Sequence, residues 1–297
     1  MSKAITIREI RQHVFGIASW VDPEETCDVI FAGDPDRQIT KIGTGWSCCS
    51  HNLEAAAADG CELFISHESL GHGPLWAPDM DSKDTPWGRR RHTVLETSGM
   101  ACMRLHDTWD NFPEHGIRDS WRRFLGLGEL VEERPYHYPG SGRFTARNSL
   151  ALSRVEPQSL SDFAKQLARR CAVFPCFQGA TVQGDAGAEI RTVATGVGCH
   201  VPTLEMLDLG ADVLVVTFDR ALQETIRIPL TEMDANVICV EHGVAEMPGM
   251  QSMALYLAQT FPGIEATFYC REPAAETITD TDVQGEIKDL ERDHDDV

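Results

Sequence analysis

Residues 61–68 read CELFISHE, an apolar run that stops at a histidine followed by a glutamate. Its length and continuous apolar character are typical of a strand buried in a sheet. The same order occurs twice more, with ACMRL before His106 and NVICVE before His242. We therefore predict three buried strands that end at histidines. A carboxylate lies close behind each histidine: Glu68, Asp110 and Glu246.

Strand-like runs alternate with helix-like segments along the chain, which predicts an α/β fold. Residues 52–60 (NLEAAAADG) have the alanine content of a helix and a glycine stop, directly before the first of these strands. Helices are also predicted over roughly 89–98 and 119–127. SLSDFAKQLARRC is an amphipathic helix capped by Ser159 or Ser161. A short helix is predicted between the VATGVGC and DVLVVT strands of the second half.

The chain is predicted to form two α/β halves, of residues 1–134 and 135–297. The segment PYHYPGSG (135–142) has turn chemistry and is interpreted as their connector. The last part of the second half is expected to pack back on the first domain. Residues 272–297 form an acidic tail, which we expect to be solvated.

A formal net charge of −20 and a pI of about 4.8 describe a surface that repels phosphate backbones and anionic lipids. Nucleic acid and membrane partners are therefore not expected, and a small-molecule substrate is. The sequence also has no apolar stretch near the roughly 18 residues of a membrane span and no clean signal-peptide core at its start. A cytoplasmic protein is the expectation.

The ten cysteines are predicted to be reduced, because a chain of 297 residues needs no disulfides for stability. Several of them lie inside apolar runs, where a thiol packs as a small hydrophobic group. The pair Cys48 and Cys49 and the pair Cys171 and Cys176 have no second cysteine pair at zinc-finger spacing. A structural zinc site is not predicted there.

The three strand ends carry a set of side chains that suits two divalent metal ions. In an open α/β sheet, sites assemble at the carboxyl ends of strands. Imidazole and carboxylate are ligands for Zn, Mn and Fe, and a carboxylate can bridge two ions. Four residues separate His242 from Glu246, so both would lie on one face of a helix. The predicted ligands are His67, Glu68, Asp110, His242 and Glu246.

Taken singly, each of these histidines is more simply explained as a hydrogen-bonded turn residue, and it is their conjunction that favours metal. His106 and Asp110 have the same spacing, but their surroundings are more typical of a loop than of a helix. Residues 69–88 are rich in Gly, Pro and Trp and are predicted to be a binding loop or lid, in which His72 and Trp76 face substrate. His115 also lies in a glycine-containing loop. For both His72 and His115, one interpretation is a residue beside the metal ligands or facing substrate, and the alternative is a turn histidine without such a role.

At this point the residues resemble a known family. The order of HES, HDTWD with the following PEHGIRDSWRRFLGL, and EHGVAE is similar to that of the Nif-three-like dinuclear metal-centre proteins, also described as type 2 GTP cyclohydrolase I homologues. The resemblance extends from about Ile30 to Tyr269. It implies two related α/β domains with mixed sheets flanked by helices and the metal site between them, and a homo-oligomer, a hexameric ring.

The family's double histidine, HTNLD and GHxxxE elements correspond to the three motifs of this chain. The resemblance implies that Glu246 is the bridging ligand and that His106 lies near the metals, where it orients a water or ligand. Glu68 stands where the family has its second histidine, an exchange of nitrogen for harder oxygen that favours Mn or Fe. In TFDRALQ (217–223), Asp219 is kept but the later histidine of many relatives is missing.

The function predicted from these residues is that of a metal-dependent hydrolase with a dinuclear site, which activates a water to cleave a C–N, cyclic amide-like bond in a small molecule. His106 is the predicted catalytic proton carrier, because an imidazole titrates near neutral pH. GTP is implied by the family alone. The alternatives are a non-catalytic metal scaffold or metal chaperone in an oligomeric ring, and a metal-free binding protein.

Overall fold

The computed structural model describes residues 5–68, 85–136, 148–196, 198, 201–221 and 223–272. His72, Trp76 and all but the first residue of the acidic tail fall outside these ranges.

The described chain has the predicted α/β architecture. Its strands are β1 Ile5–Thr6, β2 Ile30–Ala32, β3 Gln38–Ile39, β4 Lys41–Ser47, β5 Leu63–Glu68, β6 Ala101–Arg104, β7 Leu130–Tyr136, β8 Asn148–Ser159, β9 Thr181–Gln183, β10 Glu189–Thr195, β11 Val213–Thr217, β12 Val237–Val240 and β13 Glu265–Tyr269. Its helices are α1 Ile7–Ile17, α2 Ser50–Ala58, α3 Pro86–Ser98, α4 Asp107–Asp110, α5 Ile117–Leu125, α6 Leu160–Cys171, α7 Thr203–Leu207, α8 Phe218–Ala221, α9 Glu224–Glu232 and α10 His242–Thr260.

Two mixed sheets organise these elements. The first has the order β13-β4-β5-β6-β2, in which only the edge strand β2 is antiparallel to its neighbour. The second has the order β7-β8-β10-β11-β12-β9, with three parallel strands, β10, β11 and β12, at its centre. β1 and β3 form a separate antiparallel pair. Strand β13, from the end of the described chain, thus lies in the first sheet beside β4.

Helices cover both faces of each sheet, as expected when parallel strands are buried. One face of the first sheet packs against α1 and the later turns of α10, and the other against α2 and α3. One face of the second sheet packs against α5, α6 and the start of α10, and the other against α7 and α9. Each fully buried Ile or Leu contributes about 1.5–3 kcal/mol relative to exposure.

Helix α10 connects the two sheets. It begins directly after β12 of the second sheet, where the Glu241 carboxylate accepts a 2.8 Å hydrogen bond from the Val244 N–H and caps the first turn. Val244 and Met247 belong to the core under the second sheet, and Met253 belongs to the core of the first. The start of α10 is therefore held between the two layers.

Most of the predicted elements are confirmed, with shifted ends. The three histidine-terminated strands are β5, β6 and β12, and Ser159 caps α6 by accepting a 3.1 Å hydrogen bond from the Asp162 N–H. The helix predicted over 119–127 begins two residues earlier. The predicted connector 135–142 begins inside β7, which pairs with the second sheet; from residue 137 onward it lies outside the described chain.

Within the part of the chain that the structure describes, no helix combines the length and the apolar character required to cross a membrane.

Candidate metal centre

The three histidine motifs meet where the carboxyl ends of both sheets face each other. His67 and Glu68 are the last residues of β5, and His106 follows β6 after one residue. His242 opens α10 directly after β12 of the second sheet, and Glu246 lies one turn further on. The sequence spacing that predicted a shared helical face for this last pair is therefore confirmed.

At the centre of the group, three buried side chains converge without forming hydrogen bonds to one another. His67 Nε2 lies 3.3 Å from Asp110 Oδ1 and 3.4 Å from Glu246 Oε2, and all three side chains are at most 3% exposed. Among the described residues, both His67 Nε2 and Asp110 Oδ1 are buried without a hydrogen-bond partner. Unpaired polar atoms in an interior are costly, so their retention requires another stabilising contact.

The other nitrogen of His67 faces the main chain. Its Nδ1 lies 3.3 Å from the carbonyl oxygen of Leu105. A proton on Nδ1 would direct the lone pair of Nε2 toward the two carboxylates, which is the orientation that a metal-ligating histidine needs.

His106 stacks on His67, with ring centroids 4.4 Å apart and planes inclined by 15°. Its Nδ1 donates a 2.9 Å hydrogen bond to Asp107, while its Nε2 lies 3.5 Å from Glu68 Oε1. Burial lowers the pKa of His106, but carboxylates nearby, Asp110 foremost, raise it well above the ordinary value. With 19% of its side chain exposed, His106 is the more accessible of the two stacked rings.

A buried aspartate holds the backbone that carries His106 and Asp110. Asp28 accepts hydrogen bonds from the N–H groups of His106, Asp107 and Thr108, of 2.6, 2.9 and 2.8 Å, and a fourth of 2.6 Å from the Thr108 hydroxyl. These contacts satisfy the donors at the start of α4. HDTWD, which the sequence favoured as a loop, is thus a single capped turn of helix.

Glu68 has a specific cationic partner. Arg104 donates 2.9 Å hydrogen bonds from Nη2 to Glu68 Oε2 and from Nε to the carbonyl of His67. Burial raises the pKa of Glu68, but the hydrogen bond and charge of His106, together with Arg104, hold it well below the usual range. Arg104 therefore balances the negative charge that a glutamate brings to this position.

His242 lies between two carboxylates. Its Nε2 is 2.9 Å from Glu246 Oε1, and its Nδ1 is 3.0 Å from Asp219 Oδ2, on α8 after β11. Burial lowers the pKa of His242, but these carboxylates raise it well above the ordinary value. Asp219 is the residue of TFDRALQ that this chain shares with the resembling family. In this structure it orients His242.

Trp46 and Gly198 complete the walls of the site. Trp46 Nε1 donates a 2.8 Å hydrogen bond to Glu246 Oε2, and its ring packs edge-on against His242. Gly198 has a φ of +67°, and a Cβ built there would lie 3.2 Å from Glu246 Oε1 and 3.6 Å from His242 Nε2. A glycine lets the chain pass this close to the carboxylate.

The arrangement fits divalent metal ions. Among the described residues, three groups have candidate ligand atoms within 4.8 Å of one another: His67, His106 and Asp110; His67, Glu68 and Glu246; and Cys27, His106 and Asp107. The first two share His67. Two ligand atoms that each lie about 2.1 Å from the same tetrahedral ion are about 3.4 Å from each other. The separations around His67 Nε2, 3.3 and 3.4 Å, are of this size.

The structure thus brings together all five predicted ligands and His106. It places His115 elsewhere, with its Nδ1 3.1 Å from the Ser252 hydroxyl and its ring against Tyr256. His72 and Trp76 lie outside the described residues. Four neighbours of the site were not predicted from the sequence: Asp28, Trp46, Arg104 and Asp107. Asp107 alone had a signal, its place beside His106 in HDTWD.

The chain was compared with protein-family profiles, with curated proteins and with solved structures. The sequence profile of the Duf34/NIF3 (NGG1p interacting factor 3) family matches residues 6–274. None of the curated proteins matches the chain.

Three similar solved structures share the fold. They are Staphylococcus aureus protein SA1388 (14% identity, 93% of this chain and 99% of that chain covered, TM-score 0.72), a Bacillus cereus protein related to NIF3 (13%, 94% and 99%, 0.70) and reduced HcgD from Methanocaldococcus jannaschii (15%, 90% and 99%, 0.63).

Proposed function

The chain belongs to the Duf34/NIF3 family, and we propose that it is a metal-dependent hydrolase whose centre holds two divalent ions and cleaves a C–N, cyclic amide-like bond in a small molecule. The observation that carries the proposal is the buried pair His67 Nε2 and Asp110 Oδ1 beside Glu246, both without a hydrogen-bond partner among the described residues. Such atoms are stabilised when a cation lies between them.

The residues divide naturally between two ions. His67 and Asp110 would hold one, and Glu246, His242 and Glu68 the other, and Glu246 faces residues of both sets. His106 is left unbound as the proton carrier. When bound, the ions would polarise a carbonyl and lower the pKa of water toward neutrality. The carboxylates Glu68, Asp110 and Glu246 favour hard cations such as Mn²⁺ or Fe²⁺, with Zn²⁺ as the alternative.

His106 is the residue we propose as proton donor to the leaving nitrogen. An imidazole titrates near neutral pH, and the Nδ1 hydrogen bond to Asp107 fixes the ring. Nε2 is then the nitrogen that faces the site. A protonated imidazole in this orientation can donate to a departing amine, and such general acid catalysis contributes typically 10²–10⁴-fold.

A hydrolysis assay tests the proposal. The full chain, loaded with Mn²⁺, Fe²⁺ or Zn²⁺, is incubated with a panel of cyclic amides, lactams and nucleotides, and ring opening is followed by mass spectrometry. We expect turnover of at least one class, and a roughly 10²–10⁴-fold lower kcat for His106→Gln. The matched control is His51→Gln, an exposed histidine of α2, which should not change the rate.

Absence of turnover by the metal-replete protein across the whole panel would contradict the hydrolase and favour the metal scaffold or chaperone.

The predicted hexameric ring is a separate proposal, and light scattering of the purified protein measures it directly. A monomer in solution would contradict that assembly without affecting the metal centre.

A further inference from the structure

Three sulfur atoms from distant parts of the chain meet at the second turn of α10. Cys176 lies in the turn after α6, Met247 lies in the second turn of α10, and Cys270 follows β13. The Met247 Sδ is 3.8 Å from the Cys176 Sγ and 3.5 Å from the Cys270 Sγ. The two thiols also lie close enough to interact, since Cys176 raises the pKa of Cys270. Together they form a three-sulfur cluster.

The three-sulfur cluster is partly buried, and its two cysteines remain accessible to solvent. Met247 is 1% exposed, whereas Cys176 and Cys270 are both half-buried. Phe268 and Phe177 belong to the apolar surroundings of the cluster. A ligand could therefore approach from the cysteine side and be partly desolvated once bound.

A carboxylate beside the cluster has an unpaired oxygen. Glu272 Oε1 accepts hydrogen bonds from Ser47 and Asn52, but Glu272 Oε2 is buried without a hydrogen-bond partner among the described residues. Cys176, burial and Glu272 together raise the pKa of the Cys270 thiol. The negative charge of Glu272 beside the two thiols favours a bound cation.

The type of cation follows from the ligand atoms. Thiolate and thioether sulfur are soft donors, which select Cu(I) over hard divalent ions. Three sulfur atoms bound at about 2.3 Å to one ion are about 3.8–4.0 Å apart. The two separations from Met247 Sδ, 3.5 and 3.8 Å, are close to this value without any movement of the backbone.

We propose that Cys176, Met247 and Cys270 form a binding site for a soft monovalent cation of the Cu(I) type, separate from the histidine and carboxylate centre. Binding replaces the two thiol protons, which pass to solvent, and forms two thiolate bonds and one thioether bond to the ion. No electron is transferred. The adjacent residues Glu246 and Met247 thus point to two different sites, a hard one and a soft one, from a single helix.

Competition with a chelator tests the site. The full chain, reduced and kept free of oxygen, is titrated with Cu(I) held by excess bicinchoninate, and the loss of the coloured complex reports transfer. We expect one equivalent to move to the protein, and X-ray absorption to give three sulfur neighbours at about 2.3 Å. Cys176→Ser and Cys270→Ser should take no copper, and Met247→Leu should bind with two sulfur neighbours.

Cys239→Ser, a change in β12 outside the cluster, is the matched control and should behave as the wild type. Failure of the wild type to take copper, or nitrogen-only coordination, overturns the proposal, and so does copper uptake by both cluster cysteine variants at the wild-type level. The X-ray absorption result on the wild type does not depend on how well any variant folds. Divalent metal content, measured in parallel, reports separately on the histidine and carboxylate centre.

Discussion

His67 Nε2 lies 3.4 Å from Glu246 Oε2 in the interior between the two sheets, without a hydrogen bond between them. One residue ends a strand of the first sheet, and the other lies in a helix that begins at the second. Their approach places a nitrogen and a carboxylate oxygen at the spacing of two ligands of one metal ion. This pairing is the basis for the predictions that follow.

Glu246→Gln should greatly weaken divalent metal binding. The change removes a carboxylate that faces both His67 and His242, at 3.4 and 2.9 Å. Loss of an outer-shell partner typically costs 10–100-fold in metal affinity, and we expect a direct ligand to cost more than about 100-fold. Calorimetric titration with Mn²⁺ or Zn²⁺ measures the change.

The matched control is Glu54→Gln, which changes an exposed carboxylate paired with Arg90. It should bind metal as the wild type does. Equal affinities for the wild type and Glu246→Gln would show that Glu246 is not a ligand.

Metal binding should release protons and should weaken as the pH falls. In the metal-free protein His106 and His242 both have pKa values raised well above the ordinary value, and of the two His242 is the proposed ligand, which must be neutral to bind a metal. Asp219→Asn removes one of the carboxylates that raise the pKa of His242, and should shift the pH dependence of affinity to lower pH. Affinity measured from pH 6 to pH 8 and proton release in weak buffer test this.

The same raised pKa values affect the metal-free fold in the opposite sense. Protonation of His106 and His242 stabilises the folded state fully below the ordinary histidine pKa, and this contribution is lost as the pH rises through the raised values. Metal-free protein should therefore lose stability above neutral pH, while metal-bound protein should gain it.

Metal affinity that is constant over this range, with no proton release, would contradict the assignment of imidazole ligands.

Asp28→Ala should destabilise the protein by about 3 kcal/mol, because it leaves three backbone N–H groups and the Thr108 hydroxyl without their acceptor. Urea unfolding measures the loss. Asp36→Ala, at an exposed carboxylate paired with Arg8, is the control and should unfold as the wild type does. A similar small effect of both changes would show that Asp28 does not hold the start of α4.

Gly198→Ala should affect both stability and the site. The residue has a φ of +67°, where a side chain costs about 1–2 kcal/mol, and its Cβ would press on Glu246. Gly210→Ala is a close control, since Gly210 also has a φ of +67° but no atom within 4 Å of an added Cβ. Both changes should lower the free energy of unfolding equally, and only Gly198→Ala should weaken metal binding. If both variants bind metal equally, Gly198 is not a wall of the site.

Much of this arrangement could be predicted from the sequence because its signals are local. The apolar runs before His67, His106 and His242 mark strands, and the four-residue spacing from His242 to Glu246 marks a helical face. The α/β fold follows from the alternation of such elements. The family is indicated by the three motifs, although similarity to the solved structures is only 13–17% in identity.

The supporting contacts could not be predicted, because they depend on pairings between distant strands. Arg104 reaches Glu68 because β5 and β6 are neighbours in parallel register, with Ser66 opposite Arg104. Asp28 and Trp46 carry no motif of their own and act through the tertiary fold. The short helix α4 escaped prediction because its cap, Asp28, lies far away in sequence.

The central claim, that His67 and Glu246 share a metal centre, is tested most directly by anomalous diffraction from crystals of the protein loaded with Mn²⁺ or Zn²⁺. The account predicts two anomalous peaks between the sheets, one bonded to His67 Nε2 and both within bonding distance, about 2.0–2.3 Å, of the Glu246 carboxylate. Peaks confined to the surface, or full metal content with His67 and Glu246 both unbound, would contradict it.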